Sequence, residues 1–179
     1  EGCVRPDAAL LAAIRTATAE PTGSISLTKL AQLAKLQVFG GVTTLSGLEC
    51  LTGLEELTVQ NGTVSDVTPL TGLTELTILS LANNQLADLR PLSGLTKLTT
   101  LNLDTNRVVD VSPLEALAEL SDLQLSGNQL QDITSLAKLA ALSKLSVSNN
   151  LLADISPLAD LPLTVLNAGG NQQVDVATR

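Results

Sequence analysis

The strongest constraint in this 179-residue sequence is a repeat with a period of 22 residues. Residues 72–93 read GLTELTILSLANNQLADLRPLS, and residues 94–115 read GLTKLTTLNLDTNRVVDVSPLE in the same phase. Five full units span residues 50–159, and imperfect units occupy residues 28–49 and 160–179. A period of about 20–29 residues predicts a solenoid, in which neighbouring units bury each other's apolar faces.

Positions that recur in every unit have distinct physical roles. Two aliphatic columns separated by one residue have the period of a strand whose alternate side chains point inward. The inward amides of an Asn column can then satisfy backbone groups where the strand turns away. Asp and Pro columns predict a capped turn that begins a short helical segment. The columns are Leu57, Leu79, Leu101, Leu123, Leu145 and Leu166; Val59, Leu81, Leu103, Leu125, Val147 and Ala168; Asn84, Asn106, Asn128, Asn150 and Asn171, with Gly62 one unit earlier; Asp66, Asp88, Asp110, Asp132, Asp154 and Asp175; and Pro69, Pro91, Pro113 and Pro157, with Ser135 as the departure.

Composition excludes several functions. The net charge is -8, with 18 acidic and 10 basic residues, which disfavours nucleic acid and anionic membranes as partners. No apolar run approaches the roughly 18 residues of a membrane span. The chain has no His and no paired nucleophile and base, so we expect neither an enzyme nor a cofactor. Calcium needs six to eight converging oxygens, and we therefore interpret the Asp column as turn-forming and expect no metal site.

The pattern LxxLxLxxNxLxDIxPL over residues 28–179 resembles the 22-residue leucine-rich repeat of bacterial internalin-type proteins. This resemblance implies an α/β fold: a curved leucine-rich-repeat solenoid with a parallel β-sheet on its concave face and short 3₁₀ or helical turns on its convex face. It further implies a non-enzymatic protein-binding or adhesion module, secreted or at a bacterial cell surface. The alternative is an intracellular, cytoplasmic scaffold or regulatory subunit of similar repeat type, with its thiols reduced.

Residues 1–27 are predicted to form a helical N-terminal cap, and residues 28–179 the solenoid, within one structural domain. Asp7 is placed as the N-cap of an amphipathic helix with Leu10, Leu11 and Ile14 on one face. This segment is similar to the helical N-terminal cap of internalins. Its physical role would be to cover the Leu layer of the first unit.

The last unit is less regular than the others. Gln173 replaces the aliphatic residue after the Asn column, and Ala168 replaces an inward Leu or Val. Polar substitution of this kind predicts a natural end that caps itself. The alternative is a chain cut before a following domain, such as the immunoglobulin-like module of internalins.

Cys3 and Cys50 allow three interpretations. A disulfide between them would tie the cap to the solenoid, stabilise the fold by about 4 kcal/mol on the loop-entropy model, and indicate an oxidising compartment. Cys3 could instead be a lipid attachment site at a mature N-terminus. The third interpretation is two ordinary unpaired thiols.

The side chains between the inward positions should face the concavity in three rows, and this surface is the candidate site for a protein ligand. Interface hot spots and carbohydrate sites favour aromatic rings, and only Phe39 could supply one. We therefore expect this face to bind a protein with modest affinity through hydrogen bonds, and we expect no small-molecule or carbohydrate ligand. We also expect the protein to be a monomer. The first row is Lys35, Glu56, Ile78, Thr100, Asp122, Lys144 and Val165; the middle row is Gln37, Thr58, Ser80, Asn102, Gln124, Ser146 and Asn167; the third row is Phe39, Gln60, Ala82, Asp104, Ser126, Ser148 and Gly169. The candidate partner-binding residues are Lys35, Gln37, Glu56, Thr58, Gln60, Ile78, Ser80, Thr100, Asn102, Asp104, Asp122, Gln124, Lys144 and Ser146.

No basic residue occurs between Leu36 and Leu89, although six acidic residues do. This segment could steer a basic partner by its field. The other interpretation, which we favour, is an ordinary solvated surface.

Overall fold

The structure, a computed structural model, describes residues 6–172. Two helices, α1 (Ala8–Thr18) and α2 (Leu27–Ala31), precede seven parallel strands that pair in chain order within one sheet. This architecture confirms the predicted leucine-rich-repeat solenoid. The strands are β1 (Lys35–Phe39), β2 (Glu56–Gln60), β3 (Ile78–Ser80), β4 (Thr100–Asn102), β5 (Asp122–Gln124), β6 (Lys144–Ser146) and β7 (Val165–Asn167).

The inward columns form the core, as predicted. Leu79 pairs with Leu101 across β3 and β4, and Leu101 pairs with Leu123 across β4 and β5. All three side chains are fully buried, and so are the second-column residues Leu81 and Leu103. Further Leu columns from the returning part of each unit complete these aliphatic layers. Non-directional apolar burial is therefore the main force that holds one unit against the next.

Short 3₁₀ segments lie on the convex side of the units. In each described turn of the Asp column, the Asp Oδ1 accepts a hydrogen bond from the backbone N–H two residues later, as from Thr68 at Asp66 (2.8 Å). Hydrogen bonds from the Arg90 side chain and backbone hold the pKa of Asp88 at about 2. The turn-forming role of this column is therefore confirmed for its described members. The segments are Leu48–Cys50, Thr68–Leu70, Arg90–Leu92, Ser112–Leu114, Thr134–Lys138 and Ser156–Leu158.

The Asn column joins adjacent units through buried hydrogen bonds. Asn84 Nδ2 donates to the Val59 carbonyl (2.9 Å) in the preceding unit and to the Leu81 carbonyl (3.0 Å) in its own. Its Oδ1 accepts from the Val64 N–H (3.1 Å). Gly62 departs from the column because a Cβ there would lie 2.4 Å from the Val42 carbonyl oxygen. An Asn in that unit would therefore collide with the backbone.

Two columns that the sequence analysis did not single out also tie the units together. A Ser/Thr hydroxyl just before each of β3 to β7 donates to the carbonyl of the matching residue one unit earlier, as Thr99 does to Thr77 (3.1 Å). At the other end of the strands, a left-handed residue closes the ladder; Thr105 has a φ of 55° there and donates its N–H to the Ser126 carbonyl (2.7 Å). Its counterparts are Gly40, Asn61, Asn83, Gly127, Asn149 and Gly170.

The cap helix is confirmed where predicted. Asp7 is the N-cap of α1 and accepts a hydrogen bond from the Ala9 N–H (2.8 Å). Leu10 and Ile14 are buried against the first layer, whereas Leu11 is only half-buried. The predicted domain boundary at residue 27 coincides with the start of α2 and stays a prediction.

The last described unit is packed less completely than those before it. Leu166 and Ala168 are half-buried, whereas the matching Leu145 and Val147 are buried. Gln173, on which the expected self-made cap depended, lies outside the described residues, as does Asp175 of the Asp column.

Candidate functional site

The structure places all fourteen candidate residues on the face of the sheet opposite the core. The strand register aligns Lys35 with Glu56, Glu56 with Ile78 and Ile78 with Thr100, so the predicted first row is a real row. The middle row follows from the same register, because alternate residues of a strand point to the same side. In the third row only Phe39 and Gln60 lie within strands, and the other members follow the strand ends. We refer to this surface of three rows as the concave face.

The charges of the first row neutralise each other. Lys35 Nζ lies 2.5 Å from Glu56 Oε2, and Lys144 Nζ lies 3.8 Å from Asp122 Oδ2. Between these two pairs lies Ile78, whose exposed fraction is 37%. Exposed ion pairs of this kind contribute about 0–1 kcal/mol to stability. Their main effect is therefore to leave this row with little net charge.

A lateral hydrogen-bond network covers the C-terminal half of the concave face. Gln124 Nε2 donates to Asp122 Oδ1 (2.6 Å), and the Ser126 N–H donates to Asp104 Oδ1 (2.6 Å). The Ser126 and Ser146 hydroxyls lie 2.6 Å apart. Ser146 is only 7% exposed as a result of its surroundings. This candidate residue therefore offers a partner far less surface than its position in the row suggests.

The Asp104 carboxyl group on the concave face has a raised pKa. Burial raises its pKa because the charged form is poorly solvated, and the hydrogen bonds from Ser126 oppose this effect only in part. Asp104 therefore holds its proton to a higher pH than an ordinary Asp. This carboxyl group is half-buried and belongs to the network rather than to an isolated catalytic site.

The N-terminal half of the concave face is different. In this half, Gln60 Nε2 donates a hydrogen bond to Ser80 Oγ (2.6 Å), so these two polar side chains are paired with each other. Phe39 lies at the end of β1 and is 65% exposed. Phe39 was not among the fourteen candidate residues, although its status as the only aromatic residue was a signal that could have included it.

The acidic segment between Leu36 and Leu89 acquires basic partners from flanking residues. Glu56 pairs with Lys35, and Glu75 pairs with Lys97 at 2.6 Å. Asp88 pairs with Arg90, also at 2.6 Å. Because the solenoid brings together residues that are about 22 positions apart, basic residues outside this segment lie beside its acidic residues. The sequence alone therefore overestimated the local negative charge. These pairs favour the solvated-surface interpretation over steering of a basic partner.

Among residues 6–172, no three His, Cys, Asp or Glu side chains converge as metal ligands. No helix in the same range is long and apolar enough to cross a bilayer.

Cys50 ends the first 3₁₀ segment, and Cys3 lies outside the described residues. The bridge between Cys3 and Cys50 therefore stays a prediction.

Comparisons with known proteins identify the class. The family profile described as Leucine Rich repeats (2 copies) matches residues 74–116 and 119–160. The structure is similar to internalin C2 from Listeria monocytogenes, with a TM-score of 0.75 and 34% identity over 96% of this chain and 87% of that one. It is also similar to an internalin (inlF) of the same organism, with a TM-score of 0.52 and 27% identity over 94% and 70% of the two chains. A comparison with curated protein sequences finds no match.

The fold and these matches define a protein-interaction module built from leucine-rich repeats. The chain belongs to the internalin-type leucine-rich-repeat proteins. Proteins of this class bind other proteins, and their fold is typical of modules without enzymatic activity.

Proposed function

We propose that this protein binds a protein ligand through the concave face, without catalysing a reaction, and that it acts in adhesion or recognition at a bacterial surface or after secretion. The observation that supports the proposal is the division of labour within each strand. Residues such as Leu101 are fully buried, whereas their neighbours Thr100 and Asn102 remain accessible on the other side. Such neighbours can vary without disturbing the core.

The outer polar side chains are also arranged in register over seven strands, which suits a wide protein surface better than a small molecule. Neighbouring strands lie about 4.8 Å apart, so seven of them present a face roughly 29 Å long. A small molecule would be expected in an enclosed apolar cavity with a few convergent polar groups. The concave face instead offers an open surface whose affinity would come from many modest contacts.

The proposal is tested by blocking the concave face with bulk. A variant with Ser80→Arg, Thr100→Arg and Gln124→Arg places three long side chains across three neighbouring strands. The immobilised protein is mixed with extracellular and cell-surface protein extracts, and each captured protein is quantified by mass spectrometry. A genuine ligand is captured by the wild type and lost from this variant.

The matched control adds the same three charges to the convex side. Ala116, Ala137 and Ala159 are exposed and lie in or just after 3₁₀ segments, so Ala116→Arg, Ala137→Arg and Ala159→Arg change the net charge equally. Circular dichroism checks that both variants are folded. Equal losses in both variants, or capture that no concave-face substitution affects, would contradict the proposed binding surface.

The surface or secreted location is tested through Cys3 and Cys50. The proposal expects that the protein, isolated without reductant from the cells that produce it and then denatured, shows no reactive thiol until reductant is added, and two thereafter. An oxidised pair is typical of extracellular proteins. Two reactive thiols before reduction would instead favour the intracellular alternative, and a lipid-sized mass increase on the N-terminal peptide would identify Cys3 as an attachment site.

A further inference from the structure

The N-terminal half of the concave face exposes two large apolar side chains. Phe39 of β1 is 65% exposed and Ile78 of β3 is 37% exposed. Val165 is also exposed on the concave face, but it stands by itself on β7, at the far end of the sheet. Large apolar side chains that are exposed on the proposed binding face are candidate contacts for a partner.

The strand register places these residues on a line. Gln37 lies opposite Thr58, and Glu56 lies opposite Ile78. Phe39 is two residues beyond Gln37, so Phe39, Thr58 and Ile78 run diagonally over β1, β2 and β3. With ordinary strand spacing, the Cα atoms of Phe39 and Ile78 are about 16 Å apart. We call these three residues the diagonal stripe.

Polar pairs flank the diagonal stripe and are satisfied within the protein. On one side Lys35 and Glu56 form an ion pair at 2.5 Å. On the other side Gln60 donates to Ser80 at 2.6 Å. A ligand that lies between these pairs therefore meets no uncompensated charge. The chemistry of the stripe therefore favours an uncharged, apolar contact.

The spacing of the stripe favours an extended ligand segment. In a strand, the side chains at positions i, i+2 and i+4 point to one side and span about 13 Å. Three such side chains match the three members of the stripe in number, and their span is within about 3 Å of the distance between its ends. A helix would need about eleven residues to span 16 Å and would press several large side chains onto Thr58, the single small residue at the centre.

We propose that the diagonal stripe anchors an extended, uncharged segment of the protein ligand, with apolar side chains at i and i+4 against Phe39 and Ile78 and a small side chain at i+2 over Thr58. This inference rests on the proposed function and specifies its partner chemistry. Most of the binding free energy would come from apolar contact at the two ends of the stripe. Raising the salt concentration would leave such binding nearly unchanged.

The test uses a displayed library of random 12-residue peptides selected on the intact immobilised protein. The selected peptides should share two apolar residues four positions apart, and their Kd should change less than about twofold between 50 mM and 500 mM NaCl. Phe39→Ala or Ile78→Ala should weaken binding at least tenfold. Val109 and Leu151 are exposed apolar residues outside the concave face, so Val109→Ala and Leu151→Ala serve as matched controls and should have no effect.

Three outcomes would overturn the proposal. The first is recovery of no peptide whose binding depends on Phe39 and Ile78. The second is selection of charged peptides whose affinity falls steeply with salt. The third, seen by analytical ultracentrifugation, is a wild-type dimer that Phe39→Ala converts to a monomer, because a second copy of the chain would then occupy the stripe.

The two proposals can fail separately. A protein captured by the wild type, lost from the three-arginine concave variant and retained by Phe39→Ala and Ile78→Ala would leave the proposed function standing and remove the stripe as its anchor. Retention by the three-arginine variant would instead contradict the proposed function itself.

Discussion

The two ends of the solenoid differ in how completely their apolar layers are covered. At the N-terminal end, Leu10 and Ile14 of α1 cover the first layer, and Leu36 is buried as deeply as residues in the middle. In the last described unit, Leu166 and Ala168 are only half-buried. Units of a solenoid gain stability only from their neighbours. The comparison shows that one short amphipathic helix can replace a whole neighbouring unit.

The largest expected effect comes from the middle of the Leu ladder. Leu101→Ala should reduce the free energy of unfolding by about 2–5 kcal/mol, through lost apolar transfer and the cavity left behind. The matched change Leu166→Ala should cost less than half as much, because Leu166 is already partly in water. Urea unfolding of both variants measures the difference. Equal costs would mean that the two regions are packed equally well.

Substitutions in the Asn column should also cost more free energy of unfolding in the middle of the solenoid than at its C-terminal end, with smaller values than in the Leu ladder. Asn106 donates to the Leu81 and Leu103 carbonyls (both 3.0 Å) and accepts from the Leu86 N–H (3.0 Å). Asn106→Ala leaves these groups unsatisfied and should cost about 1–3 kcal/mol. Asn171→Ala, at a half-buried position, should cost less in the same urea titration; the reverse order would contradict the gradient.

At the capped end, Asp7 joins the cap helix to the first unit. Its carboxylate caps α1 and also accepts hydrogen bonds from the Thr43 N–H (3.0 Å) and hydroxyl (2.7 Å). Asp7→Ala should cost about 1 kcal/mol at neutral pH. Asp7→Asn should cost less, because Asn can still cap the helix. Thermal unfolding of the three proteins measures both values.

The effect of Asp7 should depend on pH. Burial acts to raise the pKa of Asp7, but the hydrogen bonds from Thr43 and the first turn of α1 outweigh it and lower the pKa below the usual 3.8. A lowered pKa means that the stabilisation is complete well above 3.8 and is lost as the pH falls through the folded-state value. The gap between wild type and Asp7→Ala should therefore close in strong acid; a gap that widens there would show that the assigned role is wrong.

The smallest effect should be a gain in the middle of the solenoid. Thr105 adopts a φ of 55°, which is unfavourable for a β-branched residue and tolerated by Asn. Thr105→Asn should therefore stabilise the protein by about 0.5–1 kcal/mol. The reciprocal change Asn83→Thr, at the matching position one unit earlier, should destabilise it by a similar amount. A loss at Thr105 would indicate that its side chain has a packing role.

The strand layers, the turns and the cap helix could be predicted because each depends on a short-range pattern repeated in phase. Leu79 and Leu101 identify an inward column by recurrence, and Asp66 precedes a Pro in a way that predicts a turn. The role of the Asn column followed from the same alignment, whereas the alignment marked Gly62 only as a departure and gave no reason for it. The period of 22 residues was thus sufficient to predict most of the fold.

Contacts between units were harder to predict, because they depend on which side chains meet after stacking. The pair Glu75 and Lys97 joins residues 22 positions apart, and no local pattern marks it. Ser146 occupies a surface row, yet its hydrogen-bonded neighbour Ser126 and the surrounding chain nearly cover it. The exposure of Phe39 likewise depends on what lies beside β1 rather than on β1 itself.

The regular inter-unit bonds have a consequence for how such a chain can change over generations. Each Asn side chain and each Ser/Thr hydroxyl forms hydrogen bonds only within its own unit or with the adjacent unit. An in-frame duplication or deletion of 22 codons would therefore leave each of these hydrogen bonds with an equivalent partner. The sheet would become longer or shorter by one strand, about 4.8 Å, and the added or remaining units would pack through the same aliphatic layers. Recombination between similar repeats would thus change the length of the concave face in discrete steps.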